Sequence, residues 1–250
     1  MINEGNWNEV TGMIATNLFK LFLSFSALFS YVDFEQPSNT IEVSELSGTS
    51  VSVESKTYKE DFLVYPQVTN MKDQNVQGKI NEVFIAHIKS SYEGYLKLKN
   101  EMEKFKEEDK EHCKEFPYSC EYSYITSYEV KYNHDGKLSV LIYDATYSGG
   151  AHGIEPVTIY NFDTQTGDRY TLKDIISNES KFASLTAYVK KYIKENQDLF
   201  FDEEMIGDFA VNDQTQFYFT DSGIDLLFQQ YEIAPYAAGH PTISIPSSEL

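Results

Sequence analysis

The sequence predicts an α+β fold in which antiparallel β-sheet hairpins pack with two substantial helices. Short β-rich runs are separated by turn residues, which is typical of hairpins. Two longer stretches carry apolar residues at helical spacing. The strands and helices do not alternate as βαβ units, so an all-parallel sheet is not expected. The 250 residues are enough to form one hydrophobic core or two smaller ones.

The first half of the chain is predicted to hold strands followed by the longer helix. Residues 40–65 alternate in a strand-like way around a turn at residues 47–49, and Pro66 is expected to end this run. A helix is expected from Asp73 to about Lys106, because its apolar residues recur at helical spacing. Those apolar residues are Val76, Ile80, Val83, Phe84, Ile88, Tyr92, Tyr95, Leu96 and Met102.

The second half is predicted to be mainly β-structure. Residues 121–132 and 138–147 alternate as two strands around a turn at residues 134–137, and residues 157–162 form the next strand. The second helix is expected at residues 181–196, where apolar residues again recur at helical spacing. Further strands are expected at residues 217–220, 224–228 and 242–245.

Three segments are predicted along the chain. Residues 1–35 form a signal peptide or membrane anchor, residues 36–119 an α+β subdomain with the long helix, and residues 120–250 a C-terminal α+β subdomain. The first of these rests on residues 13–32, which are rich in Leu and Phe and resemble the apolar region of a signal peptide. A buried amphipathic helix is the alternative. We therefore expect an extracytoplasmic protein that is either secreted or membrane-anchored at the cell surface.

The charge balance restricts the classes of partner. The chain has 39 Asp and Glu residues against 20 Lys and Arg residues, which gives a net charge of −19. A negative field of this size repels phosphate backbones, so nucleic-acid binding is not expected. It attracts cationic proteins and divalent cations. Solubility alone is the simpler explanation of the same balance.

The two cysteines, Cys113 and Cys120, allow two interpretations. In an exported protein they are close enough in sequence to form a short disulfide loop, whereas in the cytosol they would be free thiols. The five histidines do not stand at zinc-finger spacings from them. No metal site and no cofactor are therefore predicted.

The most unusual local sequence is a glycine-rich loop around one histidine. Gly149, Gly150 and Gly153 surround His152 between two β-rich runs, which indicates a tight backbone feature. The loop has neither the P-loop nor the dinucleotide-binding pattern. His152 is a candidate general base, but no nucleophile accompanies it in the sequence. A histidine that is hydrogen-bonded to the backbone in a strained turn is the structural alternative.

A second unusual segment, residues 231–239, lies near the C-terminus. Pro235 restricts its own φ and Gly239 permits a turn, so Tyr236 between them can be held outward in a defined pose. A rigid exposed aromatic residue of this kind is typical of a binding anchor. An aromatic plug between a helix and a sheet is the alternative. Glu232 precedes these residues and is included in the predicted binding site.

These segments together resemble one bacterial extracytoplasmic family over about residues 50–250. It is the paired domain of unknown function found in the lysozyme-sensing anti-sigma factor RsiV, and the same domain accompanies the catalytic domain of some peptidoglycan deacetylases. By this resemblance residues 120–250 form an RsiV-like subdomain. The motifs that carry the resemblance lie at residues 65–68, 75–81, 147–153, 160–163, 172–174, 217–219 and 231–239, with Gly167.

The resemblance implies a binding module rather than an enzyme. No polysaccharide deacetylase sequence accompanies the motifs, so deacetylation is not carried over and no catalytic residue is predicted. The expected partner is lysozyme or a similar cationic wall-active protein, which the charge of −19 would attract. A peptidoglycan-binding or glycan-modifying accessory protein is the alternative. The predicted binding residues are Gly149, Gly150, His152, Gly153, Glu232, Pro235 and Tyr236.

Overall fold

A computed structural model describes residues 50–176 and 178–250. The predicted signal peptide or anchor at residues 1–35 and the first predicted strand residues lie outside this part of the chain. The described residues belong to one compact unit, Ser47–Leu250. They form two β-sheets with helices, which confirms the predicted α+β class. The predicted boundary between subdomains at residues 119 and 120 stays a prediction.

The larger sheet has five strands in the order of the sequence. Neighbouring strands are antiparallel except β2 and β3, which run parallel and share the single pair Leu63 and Thr126. This parallel contact is a difference from the predicted hairpins, and it is possible because the longer helix connects the two strands. The strands are β1 (Ser52–Tyr58), β2 (Glu60–Thr69), β3 (Ser123–His134), β4 (Lys137–Tyr147) and β5 (Val157–Asp163).

Strand β2 continues through Pro66, so the expectation that Pro66 ends the run was wrong. The backbone groups of Val64 and Val68 turn away from β1, since Val64 accepts from the Thr126 hydroxyl and Val68 bonds to the side chain of Asn81. Pro66 has the same orientation between them. An N–H group at Pro66 would point away from β1, on the side where β2 has already separated from β3. The absence of this N–H therefore removes no hydrogen bond between β2 and either neighbouring strand.

The longer helix, α1 (Gln74–Glu108), covers one face of the five-stranded sheet. It begins at Asp73, whose carboxylate accepts from the N–H groups of Asn75 and Val76. A short helix, α2 (Lys110–Glu115), follows α1, and a 3-10 turn at Pro117–Cys120 leads to β3. The buried side chains between α1 and the sheet include Ile80, Phe84, Leu138, Val140, Ile142 and Phe162.

The smaller sheet has three antiparallel strands, β6 (Phe217–Thr220), β7 (Gly223–Leu227) and β8 (Thr242–Pro246). The second substantial helix is α4 (Ser180–Glu195), and the short helices α3 (Leu172–Ile175) and α5 (Glu203–Ile206) stand on either side of it in sequence. This sheet and these helices share the largest core cluster, which includes Leu185, Val189, Ile193, Leu226, Phe228 and Ile243. The sheet also packs on the second face of the larger sheet.

A buried hydrogen-bonded group joins the two sheets. Ser139 on β4 donates to the Asn161 Oδ1 on β5 at 2.6 Å, and Asn161 Nδ2 donates to the carbonyl of Phe217 on β6 at 2.7 Å. The Phe219 N–H on β6 then donates to the Ser139 hydroxyl at 3.0 Å. Ser139 is fully buried and Asn161 nearly so. Since buried polar groups without partners are costly, these bonds specify how β6 lies against β4 and β5.

Two glutamine side chains cover part of the outer edge of β5. Gln216 accepts from the Ile159 N–H at 2.7 Å and donates to the carbonyl of Val157 at 2.9 Å. Gln229 accepts from the Val157 N–H at 3.0 Å and donates to the same carbonyl at 2.7 Å. An edge strand otherwise presents open backbone groups, and here amide side chains take the place of a neighbouring strand.

We expect Asn161→Ala to destabilise the fold by about 2 to 4 kcal/mol, because the Phe217 carbonyl loses its donor and the Ser139 hydroxyl loses its acceptor. Urea unfolding followed by circular dichroism measures this loss. The matched control is Gln165→Ala, at an exposed side chain of the following turn. Equal stability of the two variants would contradict the assigned role of the buried group.

Candidate functional site

The two unusual segments of the sequence meet at the surface. The His152 ring stacks on the Tyr236 ring, with centroids 3.9 Å apart and planes inclined by 21°. The Tyr231 ring lies beside both, at 6.3 Å from His152 and 5.7 Å from Tyr236. We call these three residues the aromatic cluster. Residues far apart in sequence are thus brought together at one place on the surface.

Hydrogen bonds hold the His152 ring in this position. Its Nδ1 lies 2.9 Å from the Gly153 carbonyl, and its Nε2 lies 3.2 Å from the Tyr231 hydroxyl. With Nδ1–H donating to the carbonyl, Nε2 accepts from the hydroxyl, which is the neutral form of the imidazole. The backbone bond expected for a structural histidine is therefore present, and the stacked ring is exposed as well.

The glycines of the loop allow two close backbone approaches. Gly149 has φ +86°, and a Cβ on it would lie 2.7 Å from the Ser119 carbonyl. A Cβ on Gly153 would lie 2.4 Å from the Thr146 carbonyl, where Thr146 and Ile154 pair as an isolated bridge. Gly150 has φ +96° with open space around it. The loop therefore continues the β4–β5 hairpin and rests on the segment before Cys120.

Cys113 and Cys120 are joined by a disulfide in the structure. The bond closes a loop that runs from within α2 through the 3-10 turn and includes Ser119. The Ser119 hydroxyl also bonds to His112 Nε2 at 2.8 Å. The surface on which Gly149 rests is thereby a covalently closed loop.

Residues that flank the second segment fasten it to Glu155, between the glycine-rich loop and β5. The Glu155 N–H donates to Gln230 Oε1 at 2.9 Å, and His240 Nε2 lies 2.7 Å from the Glu155 carbonyl. Pro235 precedes a 3-10 turn at Tyr236–Ala238, and its φ of −61° suits that position. The Glu232 carboxylate accepts from the Gln229 N–H at 2.7 Å, so it closes the turn while its side chain stays exposed.

A groove of about 280 Å³ lies beside the aromatic cluster. Ile125 and Ile154, which line it, are 50% and 52% exposed, and Tyr231 of the cluster is 53% exposed. Together they make an apolar and aromatic surface of the kind that binding sites use. The groove is lined by Ser123, Ile125, Ala145, Thr146, Tyr147, Gly153, Ile154, Glu155, Gln230 and Tyr236.

Carboxylates make the surroundings of the groove negative. Burial first, and then the charges of Glu129 and Glu155, raise the pKa of Tyr143 to about 12. The centres of the Tyr143 and His240 rings are 5.7 Å apart, and His240 directly follows the segment that carries Tyr236. A cationic partner would therefore meet a negative field at this surface.

A largely buried polar group under helix α1 was missed in the sequence. Asp144 on β4 lies 2.9 Å from His87 Nε2, and it accepts from the hydroxyls of Ser91 at 2.6 Å and Tyr124 at 2.8 Å. His87 Nδ1 lies 2.9 Å from the Tyr160 hydroxyl. The available signal was the position of Asp144 in β4, where the alternation with Val140 and Ile142 calls for an apolar residue.

The arrangement around Asp144 is structural rather than catalytic. Ser91 and His87 bond to the same carboxylate, so the histidine is not placed to take the serine proton. Burial alone would raise the pKa of Asp144, but the hydrogen bonds from His87, Ser91 and Tyr124 lower it below its ordinary value. The group thus ties α1 to β3 and β4. Within residues 50–176 and 178–250, no three or more His, Cys, Asp or Glu side chains are grouped to hold a metal ion.

Two family models match the chain in succession. Residues 51–155 match the model described as Deacetylase PdaC, and residues 173–248 match the model described as Protein of unknown function (DUF3298). These matches support a paired domain of unknown function. His152 lies at the end of the first matched part and Tyr231 and Tyr236 lie in the second, so the aromatic cluster forms where the two parts of the paired domain meet. No curated protein matches the chain.

Solved structures of DUF3298 proteins resemble the paired domain. A DUF3298 family member from Bacteroides fragilis is 21% identical, with a TM-score of 0.60, over 80% of this chain and 90% of that one. A DUF3298 family protein from Pseudomonas aeruginosa is 19% identical, with a TM-score of 0.46, over 80% of this chain and 89% of that one. The first of these shows a shared fold. No helix in the described part of the paired domain has the length and apolar character needed to cross a membrane.

We expect Gly149→Ala to displace the glycine-rich loop more than Gly150→Ala does. Both substitutions place alanine at positive φ, which costs about 1 to 2 kcal/mol, but only Gly149→Ala also meets the Ser119 carbonyl. The ring-current shift of the His152 Cε1 proton reports its stacking on Tyr236. Loss of that shift in Gly149→Ala, with less change in Gly150→Ala, is the expected result, and the reverse order would contradict the geometry.

We expect Asp144→Asn to destabilise the fold at neutral pH by about 1 to 3 kcal/mol, because charged hydrogen bonds are replaced by neutral ones. The folded-state pKa of Asp144 is below its unfolded value, so its stabilisation is complete above about pH 4 and is lost as pH falls through the folded pKa. Unfolding free energies of wild type and variant should therefore converge in acid. Asp198→Asn, at an exposed carboxylate, is the control, and a pH-independent difference for Asp144→Asn would refute this account.

Proposed function

We propose that the paired domain is an extracytoplasmic, non-catalytic binding domain at the bacterial cell surface, and that it recognises lysozyme or a similar cationic wall-active protein. The binding surface is the aromatic cluster with the groove beside it. The observation that carries the proposal is the exposed His152 ring stacked on the half-buried Tyr236 ring, a pair that two separate segments hold in place. Rigid aromatic residues at the centre of a surface supply much of the free energy of protein binding.

The charge of the chain supports a cationic partner. The net charge of −19 would accelerate association with a cationic protein, and Glu155, whose charge helps to raise the pKa of Tyr143, lines the groove. The apolar side chains Ile125 and Ile154 would contribute contact area that salt does not screen. The surface therefore combines long-range attraction with short-range packing, which bulk acidity alone would not provide.

Two observations support an extracytoplasmic location. Disulfides persist in oxidising compartments, and the Cys113–Cys120 bond closes the loop whose Ser119 carbonyl packs against Gly149. The match of residues 51–155 to the Deacetylase PdaC model agrees with the resemblance to domains that accompany peptidoglycan deacetylases. Secretion or membrane attachment through the N-terminal segment remains part of the proposal.

A cell-wall glycan is the second candidate ligand, and the match to a deacetylase model favours it. An exposed aromatic face can stack on the apolar face of a sugar ring. On this reading the paired domain is a glycan-binding or glycan-modifying accessory protein. Retention on purified cell-wall sacculi without lysozyme, abolished by His152→Ala, would favour this candidate over the first. Release of acetate from the sacculi would add an enzymatic role.

We expect the purified protein to bind a cationic lysozyme with micromolar or tighter affinity in a calorimetric titration. Tyr236→Ala should weaken binding by about 30-fold or more, the loss typical of a central aromatic residue. Tyr118→Ala is the matched control, because Tyr118 is 86% exposed and makes no ring contact with the cluster.

Salt separates specific binding from attraction by charge alone. Specific binding should survive at 0.5 M salt with a lower association rate, since screening affects mainly the approach of the partner. Binding that disappears at high salt, or that is equally strong in Tyr236→Ala, would reject the proposed surface. No heat at any salt concentration would reject lysozyme and leave the glycan.

A further inference from the structure

The outer edge of β5 contains a gap in its ladder of hydrogen bonds. In an antiparallel pair, successive residues alternate between bonding to the partner and pointing away from it. Because Thr146 bonds with Ile154 and Asp144 bonds to Pro156, the even-numbered residues of β5 face β4. Val157, Ile159 and Asn161 therefore direct their backbone groups to the open side.

Most of these outward groups have partners. Gln216 and Gln229 bond to the backbone of Val157 and to the Ile159 N–H, as described above. The Asn161 carbonyl accepts from the Tyr170 N–H at 2.9 Å. Among the described residues, no partner is found for the Ile159 carbonyl or for the Asn161 N–H. One acceptor and one donor thus stand side by side along the strand, between the glutamine cap and the segment that ends at Tyr170.

The same place opens into a cleft of about 540 Å³. Its wall contains hydroxyl and amide side chains. Among the described residues that line it, Asp213 alone has a carboxylate. The lining is Thr158, Ile159, Asn161, Arg169, Tyr170, Thr171, Leu172, Asp213, Gln214, Thr215, Gln216 and Phe217. The unpaired backbone groups therefore face a space large enough for a short chain segment.

Arg169 adds a positive charge to the cleft. It is the only arginine in the sequence, and it makes no ion pair with a carboxylate in the described part of the protein. Its guanidinium lies 4.8 Å from the centre of the Tyr160 ring, and this contact positions it without using its hydrogen-bond donors. In a chain of net charge −19, an unpaired guanidinium is the group that would select a carboxylate.

We propose that this cleft binds a short, extended peptide segment that carries a carboxylate. One residue of the peptide donates its N–H to the Ile159 carbonyl and accepts from the Asn161 N–H, which is the bonding of a parallel strand over one residue. The carboxylate pairs with Arg169. The site is separate from the aromatic cluster and does not depend on lysozyme binding.

The test is a titration of the ¹⁵N-labelled protein followed by NMR. The probe is acetyl-Ala-Ala-Glu, and acetyl-Ala-Ala-Gln-amide is its neutral counterpart. The acidic peptide should shift the Asn161 amide proton downfield and protect it from exchange. The neutral peptide should bind at least about tenfold more weakly, because it lacks the charged hydrogen bond to Arg169.

Two variants identify the charge that is used. Arg169→Gln should reduce the affinity for the acidic peptide at least about tenfold and remove most of the preference over the neutral peptide. Lys173→Gln, at an exposed cation on the next helix that does not line the cleft, should change it less than about twofold. Equal effects of the two substitutions would overturn the role of Arg169.

Sodium acetate distinguishes a peptide site from a simple anion site. If acetate competes with the peptide while neither shifts the Asn161 amide, the cleft binds anions only and the strand-like mode is wrong. If no resonance of the cleft moves with either peptide, the whole proposal is wrong. Both outcomes are measured on the wild-type protein. They do not depend on whether Tyr236→Ala loses lysozyme binding, so failure of this proposal and failure of the proposed function can be told apart.

Discussion

The structure depends on satisfying the backbone groups of strands that have no neighbouring strand. Asn81 bonds both backbone groups of Val68 after β2 leaves β3, and Asn133 does the same for Val51 before β1. Gln216 and Gln229 serve β5 in the same way. In these contacts each amide side chain donates through its nitrogen and accepts through its oxygen, as the backbone of a residue in a neighbouring strand would. These contacts connect helix to sheet and sheet to sheet, so they also set where the surface segments can lie.

The aromatic cluster is a consequence of this connection. Gln229 and Gln230 bond to the start of β5 immediately before Tyr231, and His240 bonds there after Tyr236. Because these bonds fix both of its ends, the segment that carries Tyr231 and Tyr236 lies beside the glycine-rich loop. The proposed binding surface is thus built on hydrogen bonds that the fold already requires, which explains why it can be rigid although it consists of loops.

Local pattern was sufficient to predict most strands and both main helices. Asp73 was recognised as the start of α1, and the β3–β4 turn was placed correctly because Asp135 and Gly136 suit its positive φ values. The parallel contact between β2 and β3 and the separation that lets Pro66 remain in a strand depend on residues distant in sequence. No local pattern records such contacts.

The candidate site could be predicted only in part, because local patterns mark its segments but not the contacts between them. The loop around His152 and the segment around Tyr236 stood out by composition, but their stacking depends on the side chains of Gln229, Gln230 and His240, which resemble ordinary polar loop residues. Asp144 was missed because a single acid in a strand usually faces solvent. Only the register of β4 under α1 shows that most of its side chain is covered.

The glutamine cap of β5 has a consequence for any attempt to divide the protein. The two family-model matches suggest a cut between residues 155 and 173, yet Gln216 and Gln229 lie on the far side of it. An N-terminal fragment that ends after β5 would present the backbone of Val157 and Ile159 to solvent. An uncovered edge of this kind is a template for pairing with another molecule, so such fragments should aggregate where the intact chain does not.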